Sequence, residues 1–217
     1  MIERSAGCAP TGKVKQLERR APRGEADGKT MAIGTRDALI KTAEGLIRTK
    51  GYAAFSYADL AKTVGISKPT IHHHFPAKED LGTAIVEAYI DRVRRDFDRI
   101  EAENGGVIAR LEAFFTMFRK STESGFLPLC GALAAEMSAL PAGLQKMTKR
   151  FFDIQLKWLS GIIEQGIGRG EIPLGCGARQ KAFMLLSLLE GSSFIDWATK
   201  DGDVIDDGII RLIIEGT

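Results

Sequence analysis

From residue 35 onward, apolar residues recur every three to four positions, which is the spacing of one face of an α-helix. In the first such segment, Thr35 is a plausible cap and Gly51 a plausible stop. The apolar face between them consists of Leu39, Ile40, Ala43, Leu46 and Ile47. Alternating patterns typical of strands are absent from the sequence, so we predict an all-α fold.

The same spacing, interrupted by Gly, Pro and Asn, predicts the remaining helices. Their expected ranges are residues 57–64, 68–75, 78–103, 107–122, 131–139, 142–168, 178–200 and 204–215. Short helices come first and longer, more apolar ones follow. This order predicts a small N-terminal helical unit joined to a larger helical domain.

The second and third predicted helices are separated by a tight turn. Gly65 can supply the positive φ of that turn, Ser67 can cap the third helix, and Pro69 fits its first turn. Ile71 and Phe75, four residues apart, face the core. The outer face carries Lys68, Thr70, His72, His73 and His74. Such cationic, hydroxyl and imidazole groups are what a helix in the DNA major groove needs, so this segment predicts a helix-turn-helix DNA reader.

Charge is divided unevenly between the two parts. Residues 1–78 hold 14 Lys and Arg against 7 Asp and Glu, a formal charge of +7. Residues 79–217 hold 16 against 21, a formal charge of −5. A basic N-terminal part fits a polyanion-binding domain, and an acidic remainder fits a domain that does not touch the polyanion.

Composition argues against several classes of protein. The sequence has no run of 18 apolar residues and no signal-peptide pattern, so we expect a cytoplasmic protein without a membrane partner. Cys8, Cys130 and Cys176 are odd in number and far apart, which suggests reduced thiols. Adjacent histidines on a helix point about 100° apart, so no metal site is predicted, and no motif indicates a cofactor.

Residues 1–34 have no apolar period and hold 7 Lys and Arg against 4 Asp and Glu. They indicate a flexible basic arm. Met31 can also be the true initiator, and the preceding residues are then an extension without a role.

Residues 60–81 read LAKTVGISKPTIHHHFPAKEDL. This motif resembles the end of the DNA-binding domain in the tetracycline-repressor (TetR) family of bacterial regulators. The resemblance implies phosphate contacts by Ser67, Thr70, His72, His74 and Lys78. It implies base-edge or groove-wall contacts by Lys68, Pro69 and His73.

One position departs from the family motif, because His72 stands where the family usually has Tyr. Imidazole titrates near pH 6.5, and its protonated form pairs better with phosphate. We therefore hypothesise that DNA affinity rises as the pH falls from about 8 to about 6.

For the C-terminal part, the resemblance implies a helical ligand chamber and dimerisation through the last two long helices. Candidate ligand-binding residues are Phe114, Met117, Phe118, Cys130, Glu136, Met137, Phe151, Gln155, Trp158 and Phe183, with Glu136 or Gln155 as the polar anchor. Any one of the apolar members can also be ordinary core. Candidate interface residues are Leu185, Leu189, Phe194, Trp197, Ile205, Ile209 and Leu212.

Cys130 lies near a predicted helix N-terminus, where the helix dipole lowers a thiol pKa. That position suggests a sensor of electrophiles or oxidants. The alternative is a small buried hydrophobic residue, which is what free cysteine most often is.

Together these features predict a DNA-binding domain over residues 35–82 and a ligand-binding and dimerisation domain over 83–217. The expected function is a homodimeric repressor that binds an inverted repeat and is released by a small apolar or electrophilic inducer. One alternative is a helical adaptor or nonspecific DNA-binding protein without an inducer. A small helical enzyme is a further alternative, although the sequence contains no Gly-x-Ser-x-Gly, phosphate-loop, His-Glu-x-x-His or Cys-x-x-Cys motif.

Overall fold

A computed structural model describes residues 34–122, 125–200, 205 and 208–215 of the chain. Within these ranges, all regular secondary structure is helical, which confirms the predicted fold class. The helices are α1 (Thr35–Lys50), α2 (Tyr57–Val64), α3 (Lys68–His74), α4 (Lys78–Glu103), α5 (Val107–Thr122), α6 (Leu129–Ala135), α7 (Ala142–Gly168), α8 (Ala178–Thr199) and α9 (Gly208–Glu215). None of the described helices is long and apolar enough to cross a membrane.

The predicted ends of α3 and α8 shift by one residue and both predicted boundaries of α6 shift further, while two predicted segments lie outside the described residues. α6 begins directly after Pro128, and the segment predicted as its end is a 3₁₀ turn at Met137–Ala139. The predicted arm at residues 1–34 lies outside the described residues, except for Gly34. The same is true of residues 204, 206 and 207 at the predicted start of the last helix.

Helices α1, α2 and α3 meet around three fully buried side chains, Leu39, Leu60 and Ile71. Local polar groups define where the two short helices begin. The Ser56 hydroxyl accepts the Asp59 amide, and the Asp59 carboxylate accepts the Ser56 amide at 2.8 Å. These reciprocal bonds satisfy two amides that the helix itself leaves unpaired.

The turn and the third helix also follow the prediction. Gly65 has φ 78°, and the Ser67 hydroxyl accepts the Thr70 amide. The predicted Thr35 cap is wrong, because Thr35 is the first helical residue and Gly34 occupies the cap position without a side-chain bond.

Helix α4 has 26 residues and runs without interruption through the predicted domain boundary after residue 82. Its buried side chains belong to one hydrophobic core that continues from α1 to α9. The DNA-reading part and the larger part are therefore packed together by α4, and the division between them remains a prediction about roles.

Helix α7 lies at the centre of the larger part, where it packs on α4, α5, α6 and α8. Helix α9 is held to α8 by a buried lysine, because Lys181 Nζ donates to the carbonyls of Ile213 and Ile214. Both carbonyls lie in the last turn of α9. Carbonyls in the last turn of a helix have no partner within that helix, so the lysine supplies one.

Candidate functional site

Helix α3 presents a polar outer face, which we call the reading surface. Its members in the structure are Ser67, Lys68, Pro69, His72 and His73, all exposed, with Thr70 and His74 partly exposed. Ile71 and Phe75 hold the opposite face in the core. The hydroxyls of Ser67 and Thr70 lie 2.8 Å apart at the start of the helix. The predicted DNA-contacting residues of α3 are thus brought to one side of the molecule.

The imidazole of His72 has a defined orientation. Its Nδ1 lies 3.2 Å from the Pro76 carbonyl oxygen, and its ring packs edge-on against Tyr57 with centroids 4.9 Å apart. Because a carbonyl oxygen can only accept, Nδ1 carries the proton and donates. In the neutral ring Nε2 is then an acceptor, and protonation turns it into a donor suited to phosphate.

Lys78 points into the protein instead of away from it. Its Nζ donates to the carbonyls of Tyr52 and Phe55 at 2.5 and 2.6 Å, and it lies 4.5 and 4.3 Å from the centroids of the same two rings. Burial lowers the pKa of Lys78, and the nearby carboxylates of Glu136 and Asp59 oppose that shift. Only one N–H of the ammonium remains for the predicted phosphate contact.

The backbone of residues 52–55, to which Lys78 donates, is also bound by Glu136. Glu136, at the end of α6, accepts the amides of Tyr52 and Ala53 at 2.7 and 2.8 Å. Gly51 makes room for it, since a Cβ there would overlap the Glu136 carboxylate. We call Glu136, Lys78 and the backbone of residues 52–55 the clamp. Each Glu136 oxygen accepts an amide in it, and none of the three main cavities among the described residues has Glu136 in its lining. The structure thus gives this residue a place in the clamp instead of the predicted place as ligand anchor.

A second set of contacts joins the end of α1 to the end of α5 and to the segment that follows it. Arg48 Nε donates to the Leu127 carbonyl at 2.7 Å, and its Nη2 donates to the Ser121 carbonyl. The Leu127 amide donates to the Arg48 carbonyl at 3.3 Å. Helix α1 is therefore attached to the larger part by side-chain bonds at both the clamp and Arg48.

A cavity of about 1190 Å³, which we call the cleft, opens between α1, α4 and α5. Glu44 of α1 is buried in its wall and pairs with Arg92 of α4 at 2.6 Å and with Arg48 at 3.7 Å. Gln155 is the residue of α7 in the described lining. Its side-chain carbonyl oxygen is shielded from solvent and has no hydrogen-bond partner among the described residues.

Only part of the predicted ligand-binding set lines this cleft. Met117, Phe118 and Gln155 do so. Phe114, Cys130 and Phe151 are buried core residues, and Trp158 stacks on Phe97 at 4.2 Å while its Nε1 donates to Glu101. Met137 packs against the core from the 3₁₀ turn. Phe183 is exposed on α8 and borders a separate apolar groove.

Cys130 does not have the activated thiol that its position suggested. It is fully buried in α6, and burial raises its pKa well above the ordinary value. Desolvation of the thiolate outweighs the dipole of a helix of 7 residues. The buried carboxyl of Glu190 acts in the same direction. The alternative interpretation of Cys130 as a small buried side chain fits the structure.

Glu190 on α8 is a partly buried residue, with both carboxyl oxygens shielded from solvent, that the sequence analysis did not single out. Neither of its carboxyl oxygens has a hydrogen-bond partner among the described residues, and a Cβ on Gly131 would overlap one of them. Burial raises the pKa of Glu190 from 4.5 to about 8. The acid is therefore largely neutral at pH 7.

The predicted interface residues divide into three groups by exposure. Leu185 and Leu189 are buried in the protomer's own core, so the prediction that they form a dimer surface is wrong. Phe194, Ile205 and Ile209 are partly buried. Trp197 and Leu212 are 37% and 57% exposed, and Met184 and Ile195 of α8, which the sequence analysis did not select, are 41% and 64% exposed.

The charged residues that the sequence analysis missed lie within apolar stripes. Glu44 follows Ile40 and precedes Arg48 at intervals of four, and Glu190 follows Leu186 at the same interval. A charged residue at such a position is buried only when packing or pairing compensates its desolvation. That break in the apolar pattern is the signal by which both could have been found.

Residues 39–85 match the family model described as bacterial regulatory proteins, tetR family. The HTH-type transcriptional regulator CymR of Pseudomonas putida is 30% identical over 145 residues, which are 64% of this chain and 71% of that protein. The chain belongs to the TetR family. It is thus a helix-turn-helix transcriptional regulator, as the motif at residues 60–81 predicted.

Two further TetR relatives extend the match. EthR of Mycolicibacterium smegmatis, an HTH-type transcriptional regulator, is 35% identical over 104 residues, 46% of this chain and 48% of that protein. The chain therefore matches about half of the length of that relative. A TetR transcriptional regulator from Legionella pneumophila has a crystal structure with TM-score 0.71 and 27% identity, covering 84% of this chain and 95% of that one.

Proposed function

We propose that this TetR regulator is a homodimeric repressor that binds an inverted-repeat operator and leaves it when a small apolar molecule occupies the cleft. Its role is regulatory, in the cytoplasm, and includes no catalytic step. The observation that carries the proposal is that α1 belongs to two sites. We call the predicted DNA-binding domain, residues 35–82, the reader. Leu39 and Ala43 of α1 are buried in the core of the reader, while Lys41 and Gly45 of the same helix line the cleft.

The reading surface supports sequence-specific binding. Lys68 and His73 are exposed near the two ends of α3, where they can reach base edges, and the hydroxyls and imidazoles beside them can meet phosphate. Lys78 acts in this proposal mainly as a positioning residue. Its ammonium holds the segment that carries Tyr52 and Phe55, whose side chains belong to the same hydrophobic core as those of α2 and α3.

Dimerisation is supported by an exposed apolar line on α8, which we call the seam. The seam consists of Met184, Leu188, Gly191, Ile195 and Ala198. Their spacing alternates between four and three residues, which is the heptad spacing of helices that pack against each other. Four of the five are exposed, and a side chain at Gly191 would meet no atom within 4 Å. A second copy can therefore approach the backbone closely there.

Release follows from a change in the angle of the reader. Two α3 helices related by a twofold axis fit an inverted repeat only at one separation. A molecule between α1 and α4 favours the conformation in which the cleft is open, and the clamp and Arg48 transmit that shift to residues 52–55. The effector acts through its differential affinity for the two conformations.

The test is a fluorescence anisotropy titration on the DNA upstream of the protein's own gene. An inverted repeat found there is compared with a scrambled duplex of equal length and composition at one fixed salt concentration. We expect the specific site to be bound about a thousandfold more tightly. Equal affinity for both duplexes would contradict a specific repressor and favour a nonspecific DNA-binding protein or adaptor.

A further inference from the structure

We infer that the effector of this regulator is an uncharged, apolar molecule that carries a hydroxyl or amide N–H, which donates to the side-chain oxygen of Gln155. This inference rests on the proposed function in one respect, because it names the ligand class of the same cleft.

The first observation is the unpartnered oxygen. Gln155 is 2% exposed, and its carbonyl oxygen has no donor among the described residues. A buried acceptor without a partner is unfavourable, and a ligand that brings a donor removes that penalty. A ligand of the same shape without a donor leaves it in place. The site therefore discriminates by the presence of a donor.

The second observation is the wall around Gln155. Tyr89, Met117, Phe118 and Phe126 contribute large aromatic or thioether side chains to the cleft, and Ile40 and Val93 add aliphatic surface. A cavity of this kind binds an apolar body and uses few polar groups to orient it. The volume of about 1190 Å³ is ample for a molecule of one or two rings.

The third observation concerns charge. Five acidic and six basic residues line the cleft, so neither sign is strongly favoured. The buried carboxylate among them, Glu44, already pairs with Arg92 and Arg48. Arg48 in turn donates to the carbonyls of Leu127 and Ser121. The other charged residues of the lining are exposed or partly exposed. Beside the buried Gln155, a charged ligand would therefore have to break these pairs or remain unpaired away from water, which is costly.

Matched probes separate the donor from the apolar body. We would measure binding of 4-alkylphenols, from ethyl to octyl, and of the corresponding 4-alkylanisoles by isothermal titration calorimetry. Each anisole keeps the ring, the chain and the oxygen but has no O–H. For the full-length protein, we expect the best phenol to bind about tenfold more tightly than its anisole.

Gln155→Leu is the deciding variant. It should bind phenol and anisole about equally, because the acceptor is gone. The thermal midpoint of Gln155→Leu should equal or exceed that of the natural protein, since an unpartnered acceptor is removed from the interior. Gln155→Met provides a second variant of similar length. The control is Gln145→Leu on the same helix, where the amide donates to Leu140 outside the cleft lining and the phenol preference should persist.

Three results would overturn the inference. These are no binding of any phenol up to about 1 mM, an unchanged phenol preference in Gln155→Leu, and binding of 4-butylbenzoate or 4-butylbenzylamine as tight as that of 4-butylphenol. Operator release is read separately by anisotropy. Phenol binding with the expected preference but without release would uphold the ligand class and contradict the proposed release. If one compound released both the natural protein and Gln155→Leu from the operator, and binding showed no preference for a donor, the proposed release would be upheld. The ligand class would then be contradicted.

Discussion

The two short helices of the reader and the long helices α7 and α8 of the larger part begin in different ways. Helices α2 and α3 have 8 and 7 residues, and each starts with a serine side chain that accepts a backbone amide. Helices α7 and α8 have 27 and 22 residues and start without a side-chain cap, after Pro141 and Gly177. Helices shorter than about 12 residues are marginal on their own, so local polar groups matter most in the reader.

The two parts also differ in how many of their polar groups and apolar surfaces find partners within one protomer. In the reader, the clamp pairs the amides of Tyr52 and Ala53 and the carbonyls of Tyr52 and Phe55. The larger part leaves the seam uncovered and leaves Gln155 and Glu190 with unpartnered oxygens among the described residues. We conclude that the clamp of the reader finds its hydrogen-bond partners within one chain. The larger part has an apolar surface that a second copy can cover and polar atoms that a ligand can bind.

The largest effect should come from the seam. Gly191→Arg is expected to leave the protomer folded, because the position faces open space, and to stop two α8 helices from meeting. Light scattering should then show a monomer, and operator affinity should fall at least about a hundredfold because only one half-site is held. Gly161→Arg, at another open helical glycine on α7, is the control and should stay dimeric. A dimeric Gly191→Arg would contradict the proposed interface.

The second prediction concerns Glu190. Its pKa is about 8 in the folded protein, against an ordinary value of 4.5, so the folded state keeps a proton that the unfolded state has lost between these pH values. The free energy of unfolding should therefore fall as the pH rises from 5 to 8, by at most about 1.4 kcal/mol per pH unit. In Glu190→Gln this contribution should be absent. Urea denaturation of both proteins at several pH values is the measurement, and parallel profiles would contradict the assignment.

The third prediction breaks the clamp, which joins the two parts. Glu136→Ala removes the acceptor of the Tyr52 and Ala53 amides and should lower the free energy of unfolding by about 2 kcal/mol. Glu136→Gln keeps one acceptor and should lose about half as much. Operator affinity should weaken while the dimer persists. Glu164→Ala, an exposed acid on α7, is the control. A loss no greater than in this control would mean that the clamp does not position the reader.

The smallest effect is expected at His72. His72→Phe should weaken operator binding by about fivefold, because it removes the imidazole that the family resemblance assigns to a phosphate contact. His72→Gln keeps a polar side chain that can donate and should retain most of the affinity. Anisotropy titrations of both variants at one pH and one ionic strength are the measurement. Unchanged affinity in His72→Phe would contradict the phosphate contact.

Predictions from the sequence were most accurate where a residue acts through its own backbone neighbourhood. The cap at Ser67, the turn at Gly65 and the inward faces at Ile71 and Phe75 depend on contacts within a few residues, so their pattern is legible in the chain. The Thr35 cap failed because Gly34 also suits that position, and a sequence pattern alone does not choose between adjacent candidates.

Predictions failed where a side chain could make its contacts in either of two places. Leu185 and Leu189 are as apolar as Met184 and Ile195, but a helix that is apolar around most of its girth does not reveal which face meets its own core. From the sequence, Glu136 was predicted to bind the ligand and Lys78 to contact DNA phosphate. Their actual partners are 84 and 26 residues away at Tyr52.

By itself, the sequence determined the helical class, the helix-turn-helix motif and the family, because helix periodicity, turns and caps arise from interactions between near neighbours. Tertiary structure decided the direction of Lys78, the clamp at Glu136, the neutral Glu190 and the free oxygen of Gln155. These depend on which distant groups share a space from which water is removed. In such a space an unpaired polar atom is costly, and this cost determines which donors and acceptors meet.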